Sequence, residues 1–431
     1  MKKILLILFG SFLIISNSNA ESFSSALSKA FQNNSELNAE RENLNISVQE
    51  LKISQGNYLP SVTLSGSKSQ EGTNKLTNQS GGDASINDVD PLTKSISISQ
   101  TLIDFGRGAE LSKSKIGLEL AKANLLKKEQ NILYKTTEAY TGLILANEKL
   151  NINTDNVELL SRQVETDRIR VERGQITLSD VSQSESSLAE AQAKLIQAEN
   201  ELLTSKLNYE NIIGLLNDPK ALDKKSISEY PLPESLNTAI ELSKKNNPDL
   251  IIAQLEYKLA QKDKTIAKSD LTPSANLSLE RSYTDDLSTT YDEREKDTLK
   301  ATVTWPFYSG GKNLASLNKS SSLETRSRLI LDSVTKQNQT NVASAWSSYQ
   351  SNKSLLNSVQ VQVRAAEIAN EGISAEYNSG AGRTTLEVIQ SNSLLLNAQI
   401  SLADSERNFI LSQFNLLKSI GLLHSKYLKI K

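Results

Sequence analysis

The chain has no cysteine among its 431 residues. Disulfides, thiolate metal sites, catalytic thiols and acylation of an N-terminal cysteine are all excluded by that absence. Histidine occurs once, as His424 in the tail HSKYLKIK, where a surface position is expected. There is no HExxH pair and no glycine-rich phosphate loop, and the SxxK spacing of SLNK at 316–319 lacks its companion motifs. No catalytic, cofactor-binding or metal-ligating residue is assigned, and an enzyme is not expected. Aromatic residues make up only 5% of the chain, and the abundance of Leu, Ala, Ser, Asn, Gln and Lys suits long thin helices better than a thick core. Neither sign of charge dominates, with 48 basic against 50 acidic residues, so no basic surface points to nucleic acid. Apolar runs long enough for a membrane-spanning helix are missing as well. The only extended one, Ile4 to Ile15, follows Lys2 and Lys3 and precedes Ser18 and Ala20, the layout of a cleavable secretory signal over residues 1–20.

What the chain does have, it has twice. NNSEL at 33–37 returns as NNPDL at 246–250, DFGR at 104–107 as SGGK at 309–312, and IGLL at 213–216 as IGLL at 420–423. The order is kept and the offset stays close to 210, so the chain is a tandem duplication. The repeats span 21–216 and 236–423, joined by a linker at 217–235 and followed by a tail at 424–431.

Each repeat carries a sustained heptad. Val181, Leu188, Leu195, Leu202, Tyr209 and Leu216 are seven apart, as are Val388, Leu395, Leu402, Phe409, Leu416 and Leu423. Small residues such as Ser184, Ala191 and Ala198, or Ser391, Ala398 and Ser405, follow three positions later. Helices with such narrow seams pack side by side with backbones close together. A soluble coiled-coil dimer expects Leu or Ile at both seam positions; tiling around a wall fits better. Before each heptad run lies a longer helical stretch, 111–173 and 314–377. The first, 63 residues without proline, would reach roughly 95 Å. Residues 21–56 and 176–216 form the shorter helices of the first repeat.

Between the helices the period changes to two. Leu299, Ala301, Val303, Trp305 and Phe307 alternate with Thr298, Lys300, Thr302 and Thr304, and Ala275, Leu277, Leu279 and Tyr283 with Ser274, Asn276, Ser278, Glu280 and Ser282. SVTLSGS after Pro60 and SISISQTLIDF before Gly106 alternate likewise. Such strands, joined by polar loops at 70–93 and 285–297, fit a transmembrane β-barrel with Trp305 and Phe307 in its aromatic girdle. An ordinary half-buried sheet gives the same alternation, but four strands alone cannot close, and an open edge is not stable in lipid. Several copies must contribute, and three would supply twelve strands.

The duplicated helix–strand–strand–helix–helix plan, GNYLPSVTLSGS entering the first strand, TLIDFGRG and TWPFYSGGK leaving the strand pairs, and the breaks ending in SDV and LEV together resemble the TolC family of outer-membrane efflux and secretion ducts. The resemblance implies a homotrimer whose twelve-stranded barrel lies in outer-membrane lipid and continues into a periplasmic α-helical barrel, with a mixed equatorial belt from the linker and tail. It also implies a tripartite efflux or type I secretion system, in which a periplasmic adaptor and an inner-membrane ABC or proton-driven transporter supply the partners and the energy. The alternative is an exported structural or adhesive coiled-coil protein without channel activity.

Two sharp breaks, RVERGQITLSDVSQSE at 170–185 and YNSGAGRTTLEVIQS at 377–391, then become helix-to-helix turns. Gly174 and Gly380 or Gly382 are expected at positive φ, Thr177 or Ser179 and Thr384 or Thr385 as caps, with Asp180 and Glu387 in the first turn of the next helix. By resemblance these turns form the periplasmic gate: Asp180 matches an acid that pairs across to the second turn, Tyr377 and Arg383 match its partners, and Glu387 matches an acid that rings the mouth and favours cations. Gln390 stands where the family often has a second acid, and GAGR has one extra residue before Arg383.

Overall fold

The computed structural model describes residues 21–72, 77, 81–82, 88–216, 222, 224–227, 230–288, 291–379 and 382–430. The signal segment, Gly380 and much of the 217–235 linker lie outside the described residues. In chain order the elements are α1 (Phe23–Asn33), α2 (Ser35–Gly56), β1 (Ser61–Lys68), β2 (Leu92–Ile103), α3 (Arg107–Glu172) and α4 (Leu178–Ile212), then, after a 3₁₀ turn at Lys224–Ser226, α5 (Leu236–Asn246), α6 (Pro248–Ser269), β3 (Ser274–Asp285), β4 (Glu293–Thr304), α7 (Lys312–Ser379), α8 (Thr385–Ser419) and the short α9 (Ser425–Leu428). The second repeat copies the first element for element. α3 and α7, of 66 and 68 residues, are uninterrupted by proline. No described helix is long and apolar enough to cross a membrane.

The single helix expected over 21–56 is in fact two. Asn34 leaves the helical region with ψ of 122°, and its side-chain oxygen accepts from the backbone N–H groups of Glu36 and Leu37, starting α2. Its amide nitrogen donates to the carbonyl of Ile212 at the end of α4. Asn247 repeats this between α5 and α6, with ψ of 120° and a bond to the carbonyl of Ser419 at 2.8 Å. The duplicated NNSEL and NNPDL motifs therefore end one helix, start the next and satisfy an orphan carbonyl of a third.

Two compact units divide the chain, and each draws on both repeats. Among the described residues the first comprises those within 21–38, 128–247 and 340–430. Its centre is aromatic: Phe23, Tyr140, Tyr209 and Phe414 are completely or almost completely buried, with Phe23 edge-on to both Tyr140 and Phe414 at centroid distances of 5.2 and 5.5 Å. Backbone and hydroxyl bonds fasten this cluster, from the Phe23 N–H to Ser226 and from the Tyr140 hydroxyl to the carbonyl of Glu21. The tail docks here too. His424 is half-buried rather than exposed, and its Nδ1 caps α9 by accepting from the Tyr427 N–H. Further along, α7 and α8 pack through Val359, Val363, Ala366 and Ala398, with Leu395 and Leu402 against them, the narrow seam that the heptad predicts.

The second unit, residues 39–127 and 248–339, holds one antiparallel sheet in the order β1-β2-β3-β4. Its register gathers like with like. Val62 faces Ile98, Ile98 faces Leu279 and Leu279 faces Leu299, an apolar row across all four strands. On the opposite face Thr63, Ser97, Glu280 and Thr298 make an equally continuous polar row. The apolar side chains are bare, Leu64 and Leu299 being 81% and 71% exposed. β4 starts earlier than expected, at Glu293, which shortens the second loop to 286–292. Trp305 and Phe307 lie just beyond its end, stacked edge-on and exposed.

Candidate gate at the helical turns

Both turns are built by local chemistry. α3 ends where Gly174 adopts φ of 70°. The N–H of Gly174 bonds to Val171 and that of Gln175 to Arg170, a Schellman closure that satisfies two of the last carbonyls. Thr177 then caps α4, its hydroxyl accepting from the Asp180 N–H while the Asp180 carboxylate accepts from the Thr177 N–H at 2.9 Å. The second turn repeats the device with Gly382 at φ of 85° and a reciprocal box between Thr384 and Glu387. Of the alternative caps, Thr177 and Thr384 are the ones used.

Both carboxyl groups are held below their ordinary range. For Asp180 the cause is first the Thr177 hydroxyl and then its backbone N–H; for Glu387 it is the Thr384 backbone N–H, then Arg383 and the Thr384 hydroxyl. A depressed carboxylate contributes stability that is present above its unfolded value, 3.8 for Asp and 4.5 for Glu, and is lost as pH falls through the folded value. Amide hydrogen exchange at Asp180, Val181, Glu387 and Val388 should therefore hold its protection from neutrality to about pH 5 and lose it progressively as the solution is acidified below the unfolded carboxylate values. Protection that persists in acid would mean that the boxes do not depend on the charges.

The turns face one another across a cleft lined by Thr177 and Asp180 on one side and by Tyr377, Gly382 and Arg383 on the other. Within the chain, however, Asp180 does not pair with Tyr377 or Arg383: its carboxylate bonds to both the N–H and the hydroxyl of Thr177. Arg383 is bound within its own hairpin, to Glu376 at 2.6 Å and Glu387 at 3.0 Å. Glu387 is thus partly neutralised by Arg383 rather than a bare acid.

The acid that meets Tyr377 is Asp167, which the sequence reading missed. The Tyr377 hydroxyl donates to it at 2.6 Å, the Ser184 hydroxyl at 2.6 Å and the Gln163 amide at 2.9 Å. Burial pushes the Tyr377 phenol up, and the bond to Asp167 adds to that shift. Arg170 lies 4.2 Å over the Tyr377 ring and donates to its carbonyl. A signal was there to be found: Ile132, Ala139, Ala146, Asn153, Leu160 and Asp167 are spaced by sevens, and all are buried. A charged residue on a buried seam requires a partner.

The family described as Outer membrane efflux protein matches this chain over residues 26–215 and 239–422, once for each repeat. The chain belongs to that family. As an outer membrane efflux protein it is an outer-membrane protein and a member of a family of channels rather than enzymes. It is similar to the outer membrane efflux protein BepC of Brucella suis, 25% identical over 93% of this chain and 86% of that protein. It is also similar to the outer membrane protein TolC of Escherichia coli, 22% identical over 99% and 88%, and to the alkaline protease secretion protein AprF of Pseudomonas aeruginosa, 20% identical over 100% and 91%. Among solved structures, CusC superposes with a TM-score of 0.80 at 16% identity, covering 93% of this chain and 92% of that one. The Campylobacter jejuni CmeC outer membrane channel gives 0.81 at 14%, covering 96% and 89%. These likenesses establish the TolC-like fold.

Proposed function

We propose that this outer membrane efflux protein is the passive exit duct of a tripartite efflux or type I secretion system, working as a homotrimer. The observation that carries the trimer is the sheet. β1 and β4 are the edges of the sheet, with no further partner strand among the described residues, and a bare apolar row crosses all four strands between them. In lipid such edges must pair, and pairing β4 of one copy with β1 of the next closes a twelve-stranded barrel around three copies. The Ser, Thr, Lys and Glu face then lines water, and Trp305 and Phe307 sit in the interfacial girdle. The helices extend the duct through the periplasm to the two turns, which form its gate. There an adaptor and an inner-membrane ABC or proton-driven transporter engage it and shift it between closed and open states. Relatives named for efflux and for protease secretion support either cargo, and the sequence leans toward protein secretion or a duct shared by several pumps.

The test is single-channel conductance of the detergent-purified protein in planar bilayers. Wild type should give a small, cation-preferring conductance. Arg383→Ser removes the cation between Glu376 and Glu387, and should raise conductance severalfold and sharpen the preference for cations. Folded protein without any channel would overturn the duct, and a conductance indifferent to Arg383→Ser would remove Arg383 from the gate.

A further inference from the structure

Four helices end near the turns, and one side chain touches three of the elements involved. Asp167 on α3 is fully buried and accepts from Ser184 on α4, from Tyr377 on α7 and from Gln163 one turn away on its own helix. Tyr377 passes the connection on, its hydroxyl lying 3.0 Å from that of Thr385 at the start of α8. The contacts differ in kind. Ser184 and Gln163 belong to the α3–α4 hairpin, whereas Tyr377 and Thr385 belong to the α7–α8 hairpin. Separating the two hairpins therefore leaves the first pair of contacts intact and breaks the third. A buried carboxylate that loses a donor gains nothing in return until water reaches it. Arg170 reinforces the same junction from over the face of the Tyr377 ring and through that residue's backbone carbonyl.

We infer that Asp167 is the positioning residue of the closed gate: it holds the α7–α8 hairpin against the α3–α4 hairpin through the Tyr377 hydroxyl. This rests on the proposed gate. Asp180, by contrast, shapes its own turn, so the tie between hairpins within one chain passes through a residue some thirteen positions upstream of the turn acid. Opening then costs the Asp167–Tyr377 bond in every copy.

Conductance of the full-length protein tests this with five variants read against wild type: Asp167→Asn, Tyr377→Phe, the double variant, Arg383→Ser, and Glu185→Gln as a control. Glu185→Gln removes the exposed Arg168–Glu185 pair between α3 and α4 and should leave the current unchanged. Asp167→Asn and Tyr377→Phe should each raise the open fraction about tenfold, the change expected for one hydrogen bond to a charged group. Asp167→Asn keeps an acceptor oxygen but removes its charge, so the double variant should add little to Tyr377→Phe alone, in which the bond that Asp167→Asn weakens is already gone. Tyr377→Phe deletes one hydroxyl and keeps the ring, so it carries the test if Asp167→Asn assembles poorly. If Arg383→Ser opens the channel while Asp167→Asn and Tyr377→Phe do not, or if those two effects multiply in full, Asp167 is not the tie. If wild type is already open and no variant changes it, the gate itself is refuted.

Discussion

Replacing Gly421 with alanine should lower the thermal midpoint of the purified protein sharply, at a cost of about 3 kcal/mol or more, while Gly214→Ala should cost about 1 kcal/mol. The two glycines occupy equivalent places in the duplicated IGLL motif, and both have positive φ, 82° and 122°. Their surroundings differ. A Cβ on Gly421 would lie 2.2 Å from the carbonyl oxygen of Asn246 and 2.6 Å from the backbone nitrogen of Asn247, whereas among the described residues nothing lies within 4 Å of one on Gly214. Gly421 also closes α8 in a Schellman turn, its N–H on Lys418 and that of Leu422 on Leu417. Backbone cannot rotate aside as a side chain does, so alanine at 421 must displace the α5–α6 joint together with the Asn247 bond to Ser419. Thermal unfolding followed by circular dichroism reads both variants, and equal shifts would show that the close approach carries no weight.

The second large effect is expected in the sheet. Leu279→Arg places a cation in the apolar row of Val62, Ile98 and Leu299, and in a lipid-facing barrel wall this costs about 2–4 kcal/mol near the midplane. Ser97→Arg, one residue from Ile98 but on the polar face and opposite Glu280, should be tolerated. The measurement is the amount of assembled trimer recovered from the outer-membrane fraction. Loss with Leu279→Arg and retention with Ser97→Arg would confirm which face meets lipid; the reverse would invert the barrel, and equal recovery would remove the sheet from the membrane.

Much of this architecture was legible in the residues. Period two over 274–283 and 298–307 marked strands because successive side chains point to opposite faces. Period seven after each turn marked the α4 and α8 seams, and the buried Ser184, Ala191 and Ala198 are the small residues that the spacing singled out. Thr177 or Ser179 and Thr384 or Thr385 were readable as caps, with Asp180 and Glu387 in the first turn, because a cap is closed within a few consecutive residues; the choice of Thr177 and Thr384 came from the structure. The helix break at Asn34 was less visible. Nothing in NNSEL excludes helix, and the side chain's partner, the Ile212 carbonyl, lies in another element.

Sequence alone determined the duplication, the order of helices and strands, the two faces of the sheet and the chemistry of each turn. All of these follow from backbone bonding and side-chain direction over a few residues. Tertiary structure decided that within one chain Tyr377 meets Asp167 and Arg383 stays with Glu376 and Glu387, and that Gly421 is closed in by the backbone of Asn246 and Asn247. A heptad shows which side chains face inward but leaves open which side chain of a distant helix stands opposite. That choice depends on how far each helix is rotated and shifted along its axis, and it emerges only when helices some two hundred residues apart pack together.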